Sequence, residues 1–311
     1  MNTNNNVYTV IYTTVIVVIV AALLAFVSQS LKAKQEANEK AETISQMLTS
    51  AQYGTKAELD KLGNAAKLDK YAEEIEKAFV IDLDGKVLRE LGTSREDIEV
   101  YSPKQLKRQN YNIKGGANKT GEPELPVFIF KNGRTVVPIY GAGLWGPIWG
   151  YISFEANSDV MAGAYFDHES ETAGLGARIK DDPSFQKEFV GEVADFSTSN
   201  VIEIVKGGSP KDAEGKSVVD NKIDAISGAT MTSQGLDAAI DTWLEAYSKY
   251  FLGNAKECEG NHECCGNHEG CEGDHENCEG NHEGCEGNHE GCKGNHEGCK
   301  GECEHHKAME E

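Results

Sequence analysis

From Val7 to Val27 the chain runs 21 residues without a charge or a polar alternation. At 1.5 Å per residue a helix of that length extends about 31 Å, enough to cross a bilayer core. Tyr8 and Tyr12 suit a membrane interface, while Thr13 and Thr14 are only mildly polar. No basic residue precedes the run, so it reads as an uncleaved anchor rather than a secretory leader. Ser28 to about Met47 is polar and rich in helix formers, a helical stalk, and Lys56 to Lys77 gives a second helical stretch. Ala78 to Leu88 predicts two short strands around an Asp84-Gly85 turn. Residues 92–123 are polar and Asn/Gly-rich and predict irregular chain. Apolar runs at Leu125–Phe130, Thr135–Tyr140 and Ile148–Phe154 predict further strands. Leu236, Ala239, Ile240, Trp243, Leu244 and Tyr247 then recur at helical spacing, with Thr232 or Ser233 as the expected N-cap. The pattern predicts an α+β fold, one transmembrane helix followed by one domain. Residues 1–30 are the anchor, 31–50 the stalk, 51–252 the domain and 253–311 a separate tail.

Composition sharpens the last boundary. The 311 residues carry a formal charge of −21. Residues 257–311 hold 15 Glu and one Asp against three Lys, so −13 of it belongs to the tail. Neither part has the basic patch that nucleic-acid binding needs. All nine cysteines lie between Cys258 and Cys303, which leaves the body without a disulfide framework or thiol chemistry.

The tail repeats with a period close to seven and has almost no apolar residue, so it cannot bury a core and is expected to be disordered. Its units space Cys, His and the next Cys as C-x3-H-x2-C. The donors are Cys258, His262, Cys265, His268, Cys271, His275, Cys278, His282, Cys285, His289, Cys292, His296 and Cys299. Thiolate and imidazole together suit Zn²⁺, Cu⁺ or Ni²⁺. A solvated acidic extension is the plainer reading.

Ahead of the last helix stands Asp224-Ala-Ile-Ser-Gly-Ala-Thr-Met-Thr-Ser233. A helix start leaves backbone N–H groups without partners and is positive, which suits a phosphate. Gly228 permits close approach of a ligand, and Thr230 offers a hydroxyl there. A Ser/Thr-rich cap without a ligand is the plain alternative. Upstream, Gly143-Leu-Trp-Gly146 carries Trp145 on a glycine-rich loop, able to cover a core or to offer an indole to a flat ligand. In Glu171-Thr-Ala-Gly-Leu-Gly176 the glycine spacing is wrong for a dinucleotide fingerprint.

Asp224, Ser227, Gly228, Ala229 and Thr230 resemble the flavinylation motif of the FMN-binding domain family. Together with residues 143–146 and 171–176, behind one anchor, they resemble the C-subunit family of the sodium-translocating NADH:quinone reductases. The resemblance implies covalent FMN, joined through its phosphate to the Thr230 hydroxyl by a flavin transferase. It also implies that Trp145, Glu171, Thr172, Leu175 and Gly176 lie near the flavin ring. Ala173 stands where the family often has Pro, and His168 reads as a loop histidine beside the site. The implied function is electron relay, alongside other subunits, in a complex of the bacterial inner membrane that oxidises NADH, reduces quinone and exports Na⁺. The domain would then be periplasmic. Lys32, Lys34 and Lys40 after the anchor favour the cytoplasm by the positive-inside rule. The related G subunit of Rnf-type ferredoxin:NAD⁺ oxidoreductases is the nearest alternative, and an anchored metal-binding protein acting through its tail is another.

Overall fold

The structure, a computed structural model, describes residues 6–208 and 221–260, with side chains over 7–208 and 221–253. One uninterrupted helix, α1 (Asn6–Ser50), opens the chain. It is followed by α2 (Lys56–Leu59), α3 (Asn64–Glu74), β1 (Ile75–Ile81), β2 (Val87–Glu90) and α4 (Pro103–Lys114). Strands β3 (Leu125–Phe130), β4 (Thr135–Ala142), β5 (Pro147–Phe154) and β6 (Met161–His168) lead into short helices α5 (Arg178–Asp181) and α6 (Pro183–Lys187). Strands β7 (Glu203–Val205) and β8 (Lys222–Asp224) precede α7 (Thr230–Gly260). The fold is α+β, as the pattern predicts. Its centre is an antiparallel sheet in the order β2-β1-β3-β4-β5-β6, and β7 and β8 form a separate parallel pair.

Strand alternation sorts the helices onto the two faces of the sheet. Trp149, Tyr151 and Ser153 of β5, with Gly163 and Asp167 of β6, face α1. The Ser153 hydroxyl donates to Ser50 O at 2.5 Å, Gln46 Nε2 to Asp167 Oδ2 at 2.8 Å, and Trp149 Nε1 to Gln46 Oε1 at 3.2 Å. Gly141, Ile148, Ile152 and Phe154 take the opposite parity and face α7, where Phe154 meets Phe251 at a ring distance of 4.6 Å. With both faces covered, β3, β4 and β5 read as nearly continuous apolar runs, as the sequence predicts, while β6 was not expected as a strand.

α1 meets two environments. Its apolar residues from Val7 to Val27 are exposed, which leaves them free to face lipid. Ala41, Ile44, Met47 and Leu48 are buried at helical spacing against the sheet. The last ten residues of the expected stalk therefore belong to the domain. Glu42 pairs with Lys56 at 2.9 Å, and Lys56 and Lys67 both meet Asp60, which ties α2 and α3 to the same turn of α1.

Three expectations are corrected. Residues 92–123 contain α4. Its start was written in Ser102-Pro103-Lys-Gln105, a capping box with Pro at the first position, but Gln109, Asn110 and Asn112 are buried there, so no apolar stripe announced it. The second helical stretch ends at Glu74 because Ile75 already pairs with Phe130 as β1. The last helix starts at Thr230, ahead of the expected cap residues, and runs on to Gly260. The expected disorder of the tail lies outside the described residues.

Two glycines bring the start of α7 close to the end of β4. A Cβ at Gly141 would stand 2.5 Å from Ala239 Cβ, and one at Gly235 would stand 2.3 Å from Ala142 O. An alanine in a helix interior is ordinarily worth about 1 kcal/mol over glycine. The carbonyl of a paired strand cannot yield, and overpacking costs roughly 1–3 kcal/mol or more. Gly235→Ala is therefore expected to lower the stability of the full chain in detergent, despite better helix propensity. Urea unfolding followed by tryptophan fluorescence measures this, and a stabilised variant would refute the contact.

Candidate functional site

The turn entering α7 carries four hydroxyls, and the structure separates them. Ser233 is buried, its Oγ accepting from Ile226 N at 3.1 Å. Thr232 is buried and donates to Glu171 Oε2 at 2.7 Å. Both are committed to holding the turn rather than capping the helix. Ser227 is exposed, and Thr230 is half-buried at the first helical position. Among the described residues, the Thr230 hydroxyl has no hydrogen-bond partner. Gly228 takes φ +83, a left-handed conformation that lets the chain swing into the helix. A Cβ there would come within 3.2 Å of Leu175, so the turn and the 171–176 segment touch.

Glu171 joins these segments. It is buried, and its Oε1 accepts from Trp145 N at 2.9 Å while Oε2 holds Thr232. Gly143 and Gly176 are glycine because the carboxylate fills the space a Cβ would need, at 2.4 and 2.3 Å. The Glu171 N–H donates to His168 Nδ1 at 3.1 Å, which gives that histidine a structural task. Ser170 Oγ donates to Trp145 O at 2.9 Å, so the Trp145 backbone is held at both ends. Thr172 O accepts from Leu175 N and Ala177 N, closing a turn in which Gly174 takes φ +75.

The three tryptophans differ sharply. Trp243 is fully buried and its Nε1 donates to Tyr140 O at 2.9 Å. Trp149 has its Nε1 on Gln46. Trp145 is 66% exposed although its backbone is clamped. Leu144, Leu175 and Met231 are also exposed around the same three segments. Rigid loops that present an indole and aliphatic groups to solvent beside a half-buried hydroxyl form a surface suited to a flat apolar ligand with an anionic end.

On the β7 side, an open cleft of about 360 Å³ is lined by Thr230, Ser233, Gln234, Asp237, Ala225, the β7 strand and Lys206. Asp237 accepts from Ile204 N at 2.7 Å. One turn on, Asp241 is held well above the ordinary carboxylate range, at about 7, first by burial and then by Asp237 and Glu245. Its Oδ1 is buried without a partner among the described residues.

Residues 143–245 match the model of the FMN-binding domain family. That segment is similar to an FMN-binding domain. The C subunit of the Na(+)-translocating NADH-quinone reductase of Vibrio parahaemolyticus is 26% identical over 233 residues, 71% of this chain and 84% of its own length. The corresponding subunits of Chlamydia caviae and Vibrio anguillarum are 38% and 32% identical, over 39% and 38% of this chain. Those two matches span 41% and 46% of the relatives' own lengths, less than half. The crystal structure of the C subunit from Parabacteroides distasonis superposes with a TM-score of 0.51 at 28% identity, covering 71% of this chain and 96% of that one. NqrC of Shewanella oneidensis gives 0.52 at 25% identity, covering 71% and 99%. The likeness to these proteins thus extends well beyond three short motifs.

Within the matched segment, Trp145, Glu171, Thr172, Leu175, Gly176, Ser227, Gly228, Ala229 and Thr230 come together. Burial divides them. Glu171 and Gly176 lie inside, knitting the loops, while Trp145, Leu175 and Thr172 are outside. Asp224 ends β8, its N–H donating to Glu188 Oε2 at 3.0 Å, at the entry to the turn. Sequence reasoning missed Thr232, Ser170, Leu144 and Met231. Leu144 and Met231 sit inside motifs it had singled out, and only packing distinguishes them. Among the described residues no cluster suits a metal ion. The Cys258 side chain and the donors from His262 to Cys299 lie outside the described residues.

A proton on Asp241 gives the domain a pH dependence of known sign. The folded state keeps this proton between about pH 4 and about pH 7, where the unfolded chain has lost it. Stability from this carboxyl therefore declines as pH rises through that window and is level above it. Partial exposure of Asp241 limits the effect to the order of 1 kcal/mol. Urea midpoints should show wild type losing more stability than Asp241→Asn between pH 5 and pH 8. Parallel behaviour of the two would contradict the assignment.

Proposed function

We propose that this chain is an electron-relay subunit with FMN joined through its phosphate to the Thr230 hydroxyl by a flavin transferase. The observation that carries the proposal is the uncommitted, half-buried Thr230 hydroxyl at the start of α7, flanked by the exposed Trp145 and Leu175. First-turn N–H groups and the helix dipole favour a phosphodiester there. Trp145 and Leu175 would bear on the ring, and the cleft towards β7 leaves room beside the linkage. FMN so held would supply reversible uptake and release of electrons. The chain's own residues fix its position and keep the attachment rigid, and a covalent bond prevents loss of the cofactor.

The fold orients this site. Gly163 of β6 is level with Ser50 of α1, and Asp167 with Gln46, so β6 runs against α1. The loops after His168 and Ala142, with the α7 start, lie at the sheet end nearest the apolar length of α1. Ser28 to Lys40, 13 residues of helix, gives roughly 20 Å between that end and the membrane. A site opening towards the bilayer suits a partner subunit embedded there.

The wider role follows the named relatives: membership of a membrane complex that oxidises NADH, reduces quinone and moves Na⁺. One helix forms no pore, so ion movement belongs to other subunits. The periplasmic side follows the family resemblance against the bias of Lys32, Lys34 and Lys40. A membrane-impermeant amine reagent added to intact spheroplasts checks it, since a cytoplasmic domain would stay unlabelled.

Full-length protein made with a flavin transferase should give a fluorescent band on a denaturing gel, and Thr230→Val should abolish it. A dark wild-type band would remove the relay reading. A band retained in the variant would move the attachment elsewhere.

A second reading is favoured by one observation, the confinement of all nine cysteines to residues 258–303 among regularly spaced histidines. The tail is proposed to bind several thiophilic ions, Zn²⁺, Cu⁺ or Ni²⁺. Titration of reduced full-length protein with Zn²⁺ against a chromophoric chelator should find more than one equivalent. Replacing all nine cysteines with serine should lower that count and leave flavin attachment intact. An unchanged count would end the reading.

A further inference from the structure

Glu171 is a carboxylate buried in the domain, and among the described residues it forms no ion pair. Burying a charge without a cation is costly, and it persists where hydrogen bonds to the charged form compensate. Here two donors do so, the Trp145 N–H at 2.9 Å and the Thr232 hydroxyl at 2.7 Å. They come from different parts of the chain: the β4–β5 loop and the first turn of α7. Glu171 itself stands between β6 and the Leu175 turn. Gly143 and Gly176 are shaped around the same carboxylate.

We infer that Glu171 is the positioning residue of the site, fixing Trp145 relative to Thr230 through its two oxygens, and that its buried charge opposes electron addition to the bound group. The inference rests on the FMN reading only for the second part. Side chains that cover or flank a ligand need not be held this way. A carboxylate whose two oxygens each grip a different ligand-bearing segment sets their separation. Because it carries a net negative charge into an apolar interior, it also raises the energy of any added negative charge nearby.

Glutamine separates the two parts. Its Oε1 can accept from the Trp145 N–H, and its Nε2 can donate to the Thr232 oxygen, since a hydroxyl both donates and accepts. Glu171→Gln therefore keeps both struts without the charge, and Glu171→Ala loses both. The first readout is amide hydrogen exchange at Trp145 in full-length protein in detergent, before any flavin is attached. Exchange should accelerate about tenfold or more in Glu171→Ala, the range for a lost hydrogen bond to a charged group. It should return to the wild-type rate in Glu171→Gln. Thr232→Val, which removes only the α7 strut, should give a smaller acceleration and serves if the alanine variant does not fold.

The second readout is the midpoint potential of the flavin-loaded protein, which should be more positive in Glu171→Gln than in wild type. A merely structural role would leave it in place. Trp145 exchange unaffected in both the valine and alanine variants would overturn the positioning role, and equal potentials would overturn the electrostatic one. The exchange measurement needs no flavin, so its outcome stands apart from a dark wild-type band, which would sink the FMN reading alone.

Discussion

The separation between α7 and β4 decides everything at the Thr230 end of the molecule. Two elements normally meet through side chains, with axes about 10 Å apart. Here Gly141 faces Ala239, and Gly235 faces the Ala142 carbonyl and Gly143 Cα, so backbone rests on backbone. That contact fixes the start of α7 beside the 143–146 loop. Glu171 can then span the gap with a single side chain. With bulkier residues at the contact, the same carboxylate could not reach both donors. Close packing at one end of a helix thus sets the tolerance of the site beside it.

The second constraint is the double duty of α1. One face of its last turns must satisfy a sheet, and its first turns must satisfy lipid. A helix can do both because its backbone bonding is internal in either environment. Beside the buried Ile44, Met47 and Leu48, the join also has polar contacts. Gln46 bridges Trp149 and Asp167, and Asp167 also meets Lys180 at 2.8 Å. His168 follows Asp167 and accepts from Glu171 N, so a continuous run of hydrogen-bonded groups links the anchor to the site. These contacts seat the last turns of α1 on the domain.

Much of this was legible beforehand for physical reasons. Sheet strands covered on both faces are apolar throughout, and β3, β4 and β5 declared themselves. The anchor did so by its lack of charge. Helix α4 did not, because Gln109 and Asn112 face inward to satisfy the backbone of residues 120–124, which erases the apolar stripe. At the site, the residue types were visible and their division of labour was not. Glu171 and Trp145 looked equivalent as ring neighbours. Burial makes one a strut and leaves the other exposed. The start of α7 was misjudged by two or three residues because Thr232 and Ser233 look like caps, yet their hydroxyls are spent on Glu171 and on Ile226. Hydroxyl-rich turns cannot reveal from sequence which hydroxyl remains free.

The length of α7 bears on how the proposed flavin site and the proposed metal-binding tail would coexist. From Thr230 to Gly260 the helix rises about 45 Å. It carries the chain away from the Thr230 turn, and Cys258, the first cysteine, falls in its last turn. Thiolates next to an exposed electron carrier would invite metal-mediated short circuits and oxidation. A helix of that length sets the root of the tail away from Thr230, which would lessen that hazard. The proposed flavin site and the proposed chelating tail would then be separable, each resting on its own end of a single helix.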